Sequence, residues 1–299
     1  MTCVRLGAVG YLNARPCVVG LDHQSRFELR FDVPSRCASL LHDRLIDVGL
    51  IPSIDYLRGP GGAGGYRLVP DVAIASMGPV ASVAIYTTRP MADVRSIALD
   101  TSSRTSVALT RVLCARAFHI NPRLEPLGPD VLAMLERCDA ALLIGDAALL
   151  LDHTAIHPAH SEKYRATPGS IEKIDLGETW TNTTGLPFVY AFWAGWPDAL
   201  GAEDVRAIQT ARDAGVADPE RVAREYFGDP ILDAVGARYL RENIKYHLGE
   251  PEQAGLDAFY RYAAELGLVP ESTGLRFYEA GVPDRQLHAQ RLVRQSPSC

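Results

Sequence analysis

The sequence predicts an α/β protein of two halves with a ligand cleft between them, and three observations carry that prediction. Short apolar runs alternate with helix-periodic stretches through residues 1–150, at a β-α-β spacing that suits parallel strands. Two strongly apolar runs, at residues 80–87 and 183–196, read as strands that leave one half for the other and return, near 83 and near 190. Turns rich in Ser, Thr, Asn and Gly recur at strand ends: GYLNARP, VPSR, IPS, SMGPVAS, DTSSRTS, IGD and TNTTGLP. Such turns in two halves suit a hinged cleft that closes on a small polar anion.

In order, residues 4–9 are a first strand that Gly10 breaks, which places Asn13 just beyond a strand's carboxyl end. Turn chemistry alone also explains an Asn there. Residues 27–33 form a second strand, and VPS opens a helix with Ser35 as N-cap and Cys37, Leu40, Leu41 and Leu45 on its buried face. Residues 46–51 are a third strand ending at Pro52-Ser53. GPGGAGG (59–65) lacks the Lys-Ser/Thr ending and the strand-to-helix context of a phosphate loop. Residues 66–75 lead to Ser76-Met77-Gly78-Pro79, and Ser82 lies inside the apolar run that follows, its hydroxyl either bonded internally or facing a cleft.

The segment 94–113, VRSIALDTSSRTSVALTRVL, is the strongest anion signal. A short strand stops at Asp100, and a hydroxyl cluster opens a helix with Val107, Leu109, Val112 and Leu113 on one side. The first-turn amides of such a helix lack intrahelical partners and lie at the positive end of its dipole. Ser102, Ser103 and Thr105 add hydroxyls and Arg104 a guanidinium fork; an ordinary N-cap with a solvated Arg is the plainer alternative. A helix at 129–138 and a strand at 140–144 follow, then a short helix with Asp146 near its start, either as its cap or as a pocket residue.

Residues 152–182 read as polar and irregular. Their His153, His157 and His160 are interrupted by Pro158 and read as a surface loop, with no metal expected. From Asp198 the pattern is helical, at 199–213, 219–227, 231–247 and 252–266, with Tyr226, Phe227, Tyr239 and Tyr246 read as packing residues. The stretch after Gly281 reads as a frayed tail.

At 299 residues the chain can bury ~75% of its unfolded surface, enough for a large core or two. A net charge of −6 argues against nucleic-acid or anionic-membrane partners, so any pull on an anion is local. The N-terminal segment lacks the apolar run of a signal or lipoprotein leader, and the six cysteines lack metal spacing; reduced thiols and a cytoplasmic location are expected.

Several of these segments together resemble one known family. GAVGYLNARP, VPSRCASLL, DRLIDVGLIPSIDY, SMGPVASV, IALDTSSRTSVALTRVL, DAALLIGDAAL, DLGETW and TGLPFVYAFWAG are similar to the chorismate dehydratases of the futalosine-dependent menaquinone pathway, over roughly residues 4–196. The resemblance implies a two-lobed fold of the type II periplasmic-binding-protein kind, with a mixed, mostly parallel sheet in each lobe. Residues 1–82 with 191–299 would form one lobe and 83–190 the other. It further implies dehydration of chorismate to 3-[(1-carboxyvinyl)oxy]benzoate without metal or organic cofactor. Asn13 and Ser82 fall at the family's reacting centre. Ser103, Arg104 and Thr105 would take a carboxylate, and Ser53, Asp146 and Thr184 would line the cleft. No His, Lys or Glu in these motifs is an evident base, which leaves the substrate's own carboxylate as a proton acceptor. The related 1,4-dihydroxy-6-naphthoate synthases share the fold but usually carry a His where this chain has Gly145. A non-catalytic binder of small anions is the alternative from a different class.

Overall fold

A computed structural model describes residues 3–59, 65–156 and 171–279. GPGGAGG from Pro60 to Gly64, His157 and His160, and the expected tail lie outside them. The strands form two five-stranded sheets.

The first sheet contains β1 (Val4–Val9), β2 (Phe27–Asp32), β3 (Val48–Pro52), β4 (Arg67–Ser76) and β10 (Phe188–Gly195), in the order β2-β1-β3-β10-β4. β1 runs parallel to β2 and β3, whereas β10 is antiparallel to both its neighbours. The second sheet repeats this plan with β5 (Val83–Thr87), β6 (Ser96–Asp100), β7 (Arg123–Leu127), β8 (Ala140–Ile144) and β9 (Glu172–Asp175), in the order β7-β6-β8-β5-β9. Here β6 is parallel to β7 and β8, and β5 is the antiparallel member. The two strands that follow the crossings, β5 and β10, thus occupy equivalent places in the two sheets. Both are buried along their whole length, as their unbroken apolar sequences require.

Helices α1 (Pro34–His42), α2 (Asp55–Arg58), α3 (Arg104–Arg116), α4 (Val131–Arg137), α5 (Gly145–Leu149) and α6 (Leu176–Thr184) connect the strands. A C-terminal set follows: α7 (Ala202–Ala217), α8 (Pro219–Phe227), α9 (Pro230–Glu242) and α10 (Glu250–Glu265). One apolar cluster runs from Leu6 and Val48 in the first sheet to Ile97, Leu99 and Leu109 in the second half. A smaller cluster, including Met134 and Leu143, packs α4 on the second sheet. No helix among the described residues is long and apolar enough to cross a membrane.

Several local expectations are corrected. Ser35 is not the cap of α1: Val33 is, because Pro34 takes the first helical position, where its fixed φ fits and its missing N–H is harmless. α1 also ends at His42, which leaves Leu45 beyond it and 52% exposed. Residues 152–182 are not irregular throughout, since β9 and most of α6 fall within them. Asp175 caps α6 by accepting from the Gly177 and Glu178 amides. The short strand β7 was not anticipated either. Ser82 precedes β5 rather than lying inside it.

Four of the cysteines, Cys17, Cys37, Cys114 and Cys138, are buried, and Cys3 is exposed. Burial pushes the thiols of Cys17, Cys37 and Cys114 up to about 12, so they are protonated packing groups.

Candidate active site

The carboxyl ends of β1, β3, β6 and β8 converge between the two sheets, as expected for a ligand site of an open α/β sheet. They surround a cavity of about 40 Å³. Val9, Ile74, Val83, Ile144, Pro34, Pro52 and Ala191 supply apolar walls, and Tyr11, Asn13, Ser82, Ser103, Ser106 and Tyr190 supply polar groups. No Asp, Glu, His, Lys or Arg is among the described residues that line it.

Asn13 stands in the first turn of a 3-10 helix, Leu12–Val18, that begins where Gly10 ends β1. Its Oδ1 is buried with no hydrogen-bond partner among the described residues. Ser82 is 1% exposed, and its Oγ accepts a 2.7 Å hydrogen bond from the Tyr239 hydroxyl. The Asn13 amide faces that same phenol oxygen. With Tyr239 donating to Ser82, the Ser82 hydroxyl hydrogen is free to point into the cavity. The pair therefore presents one open acceptor, Asn13 Oδ1, and one open donor, the Ser82 hydroxyl. Burial raises the Tyr239 phenol above its ordinary value, so it stays protonated and keeps this direction.

The DTSSRTS turn divides its residues. Ser103 caps α3, accepting from the Ser106 amide at 3.3 Å and hydroxyl at 3.0 Å, and both serines line the cavity. Arg104 does not line it. Its guanidinium reaches back to the first half, pairing with Asp55 at 3.2 Å and donating to Ser39 at 2.9 Å. Asp55 is fully buried, which explains why the fork is turned from the cavity: an unpaired carboxylate there would be costly. Thr105 is also buried and accepts from the Ile54 amide at 3.2 Å, beside the Ser53 hydroxyl at 3.4 Å.

Ser53 lies one residue beyond the cavity wall and donates to the Val189 carbonyl at 2.8 Å. Asp146 is not the cap of α5, whose N-cap is Ile144. Its carboxylate instead accepts from the Leu12 amide at 3.2 Å and from the Tyr226 hydroxyl, tying the second half to the first. Burial raises its pKa, while the Tyr226 and Leu12 hydrogen bonds partly offset the rise. Thr184 stands apart from the cavity: its hydroxyl donates to the Trp180 carbonyl at 2.9 Å and accepts from the Leu186 amide. The structure thus gathers Asn13, Ser82 and Ser103 on the cavity, leaves Ser53, Thr105 and Asp146 in the contact around it, and separates Arg104 and Thr184 from it.

The residues missed from sequence are tyrosines of the C-terminal region, on α8, α9 and α10 and, for Tyr246, in the loop after α9, which ends at Glu242 rather than near 247. Their rings pack, as expected, but their hydroxyls reach the strand-end turns. The Tyr226 hydroxyl that donates to Asp146 also lies 3.1 Å from the Gly10 carbonyl, Tyr246 donates to the Asn13 carbonyl at 3.0 Å and Tyr260 to the Ser53 carbonyl at 2.6 Å. Tyrosines in an apolar-periodic pattern give no sequence signal for such distant oxygen partners.

Two mixed sheets joined by two crossings, with a small cavity where their parallel strands end, define a type II periplasmic-binding-protein fold. Solved structures agree. A protein from Archaeoglobus fulgidus superposes with a TM-score of 0.64 at 16% identity, covering 89% of this chain and 98% of that one. The periplasmic aliphatic sulphonate binding protein of Escherichia coli gives 0.57 at 18% identity, covering 90% and 94%. More narrowly, the chain belongs to the menaquinone-biosynthesis family, whose model matches residues 4–265. The chorismate dehydratase of Thermus thermophilus is 34% identical over 88% of this chain and 95% of its own length. That of Campylobacter jejuni is 26% identical over 88% and 99%.

Proposed function

We propose that this chain is a chorismate dehydratase, a hydro-lyase that forms 3-[(1-carboxyvinyl)oxy]benzoate for menaquinone biosynthesis. The observation that carries the mechanism is the buried, unpartnered Asn13 Oδ1 beside the Ser82 hydroxyl in a cavity without charged side chains. Buried polar atoms are seldom left without partners, so an open acceptor in such a place fits a ligand hydroxyl.

Chorismate has such a hydroxyl at C4. The reaction breaks the C3–H and C4–O bonds; the C3 proton passes to a base, and the hydroxyl departs with a proton as water. The ring becomes aromatic, which supplies the driving force, so a strong protein base is not required. The same substrate can also rearrange or lose pyruvate, and the enzyme's task is to favour one route by orientation and a preorganised polar environment. Asn13 Oδ1 accepts from the C4 hydroxyl and fixes it. Ser82, with Tyr239 behind it, donates to the departing oxygen or to the enolpyruvyl arm. Ser103 and the first-turn amides of α3 take a carboxylate. The substrate's own carboxylate removes the C3 proton.

Ligand sites usually enclose roughly 300–1,000 Å³, far more than the cavity here, so the two halves separate to admit chorismate. Residues 1–82 with those from Phe188 onward, where β10 begins to pair with β4, move as one half and 83–187 as the other. Both crossings contain a glycine at positive φ with open space around it, Gly78 at 84° and Gly185 at 72°, which suits a hinge.

Gly145 favours this reading over the naphthoate synthase. It has φ +63°, and a Cβ there would meet the Tyr11 ring at 3.0 Å, so a histidine does not fit without displacing Tyr11. Incubating purified protein with chorismate is the test, followed by ultraviolet absorbance and mass. A benzoate lighter by one water is expected, with Asn13→Ala and Ser82→Ala each slower by more than about tenfold. Chorismate bound but unchanged would instead make the chain a binding protein.

A further inference from the structure

Ser82 is presented by a strained turn, and the chain holds that turn from both sides. The Ser82 amide donates to the Val80 carbonyl, two residues back, at 2.8 Å. Ala81 between them has φ +63°. This is the positive-φ form of the γ-turn, rare and strained for a residue with a Cβ. Three residues earlier the same crossing uses a glycine, Gly78, for its positive φ. At position 81 it does not, so the surroundings must enforce the conformation.

Two side chains from β9 do so. Asp175 accepts from the Val80 amide at 3.0 Å and from the Ala81 amide at 2.6 Å. Lys173 lies two residues earlier, on the same face of the strand, and donates from Nζ to the Ala81 carbonyl at 2.8 Å. Both peptide groups flanking the Ala81 α-carbon are therefore pinned, one by an anion and the other by a cation. The turn is fixed at its far end as well, where the Gly145 amide donates to the Ser82 carbonyl at 2.8 Å. Capping α6 accounts for one oxygen of Asp175, but neither its other oxygen nor Lys173 is needed for that.

We infer that Lys173 and Asp175 are positioning residues for the dehydration, clamping Ala81 in its left-handed turn and so holding the Ser82 hydroxyl against Tyr239 and open to the cavity. The inference rests on the chorismate dehydratase reading for the reaction it serves. Loosening the clamp frees Ser82 while leaving the remaining cavity groups in place, so turnover falls more than affinity does.

Lys173→Met keeps an apolar stem and removes the ammonium. Its kcat on chorismate falls at least tenfold with KM within twofold, whereas Lys173→Arg retains most of the rate. Adding Ala81→Gly to Lys173→Met restores kcat at least fivefold, because glycine enters this turn without a clamp. A Lys173→Met enzyme within twofold of wild type in kcat, or no recovery on adding Ala81→Gly, overturns the inference. If Lys173→Met does not fold, Asp175→Asn takes its place in the same comparison. Should the wild-type protein not dehydrate chorismate at all, the functional reading fails by itself. Melting temperatures then read the clamp without substrate: Lys173→Met must lower the melting temperature less in the Ala81→Gly background. Equal losses in both backgrounds overturn the clamp independently.

Discussion

Replacing Tyr239 by Phe removes one oxygen from the back of the cavity and little else. The ring is 3% exposed and can stay where it is. Lost are the 2.7 Å hydrogen bond to Ser82 Oγ and the phenol oxygen that the Asn13 amide faces. Leaving buried polar groups short of a partner costs about 1–3 kcal/mol. For a chain of this size that corresponds to a fall in melting temperature of roughly 2–5 °C. The same change frees the Ser82 rotor, and a tenfold loss of kcat needs only about 1.4 kcal/mol of lost orientation. Tyr246→Phe is the matched control, since its hydroxyl donates at 3.0 Å to the Asn13 backbone carbonyl rather than to the Asn13 or Ser82 side chain. The expected result is a similar loss of stability in both variants, measured by denaturant unfolding, with kcat on chorismate falling about tenfold only in Tyr239→Phe. A Tyr239→Phe enzyme with unchanged kcat would refute the role given to this hydrogen bond.

Further outcomes follow from other contacts. Gly145→Ala places a methyl group 3.0 Å from the Tyr11 ring at φ +63°; unfolding should show a loss of about 2–4 kcal/mol from backbone strain and crowding together, with kcat/KM lowered. Arg104→Met strands the fully buried Asp55 carboxylate and should cost about 3 kcal/mol, the low end for a broken buried pair because Arg104 is partly exposed. Adding Asp55→Asn to it should recover part of that loss in the same assay. The His42 imidazole is held below its ordinary value of 6.5, chiefly by burial, with the Arg104 charge adding to the effect and Asp55 opposing it. The unfolded chain therefore takes up a proton first, so stability is complete above pH 6.5 and declines as the pH falls through the lowered value. His42→Phe should flatten that decline in unfolding curves measured across the range.

Much of the fold is legible because its buried strands are short, apolar and closed by turn residues. AALLI at β8 and PERVAREYF at α8 carry both their type and their limits in the local pattern. β7 and β9 do not: RLEPL and EKID are edge strands of mixed polarity, and edges avoid the apolar alternation that would reveal them. α6 is obscured by its threonines and glycine, which are poor helix formers. Its Asp175, followed three residues later by Glu178, is a start signal that could have located it.

The lining of the cavity was legible where a residue follows a strand end, as for Asn13 and Ser103. It was not legible where a distant partner decides the side chain's direction. Arg104 reads as an anion fork until Asp55, 49 residues away, claims it. Asp146 reads as a cap until Leu12 and Tyr226 approach from the other half. The tyrosine hydroxyls that brace the turns have partners more than 150 residues away in sequence, as Tyr239 and Ser82 illustrate.

The central claim is that Asn13 and Ser82 act on chorismate in the space between the two sheets. A crystal structure with 3-[(1-carboxyvinyl)oxy]benzoate bound tests it most directly. The product should lie where β1, β3, β6 and β8 end, in an enlarged cavity, with Asn13 and Ser82 within hydrogen-bond distance of the ring edge or the enolpyruvyl arm. Product bound elsewhere, or bound there with both side chains turned away, would contradict it.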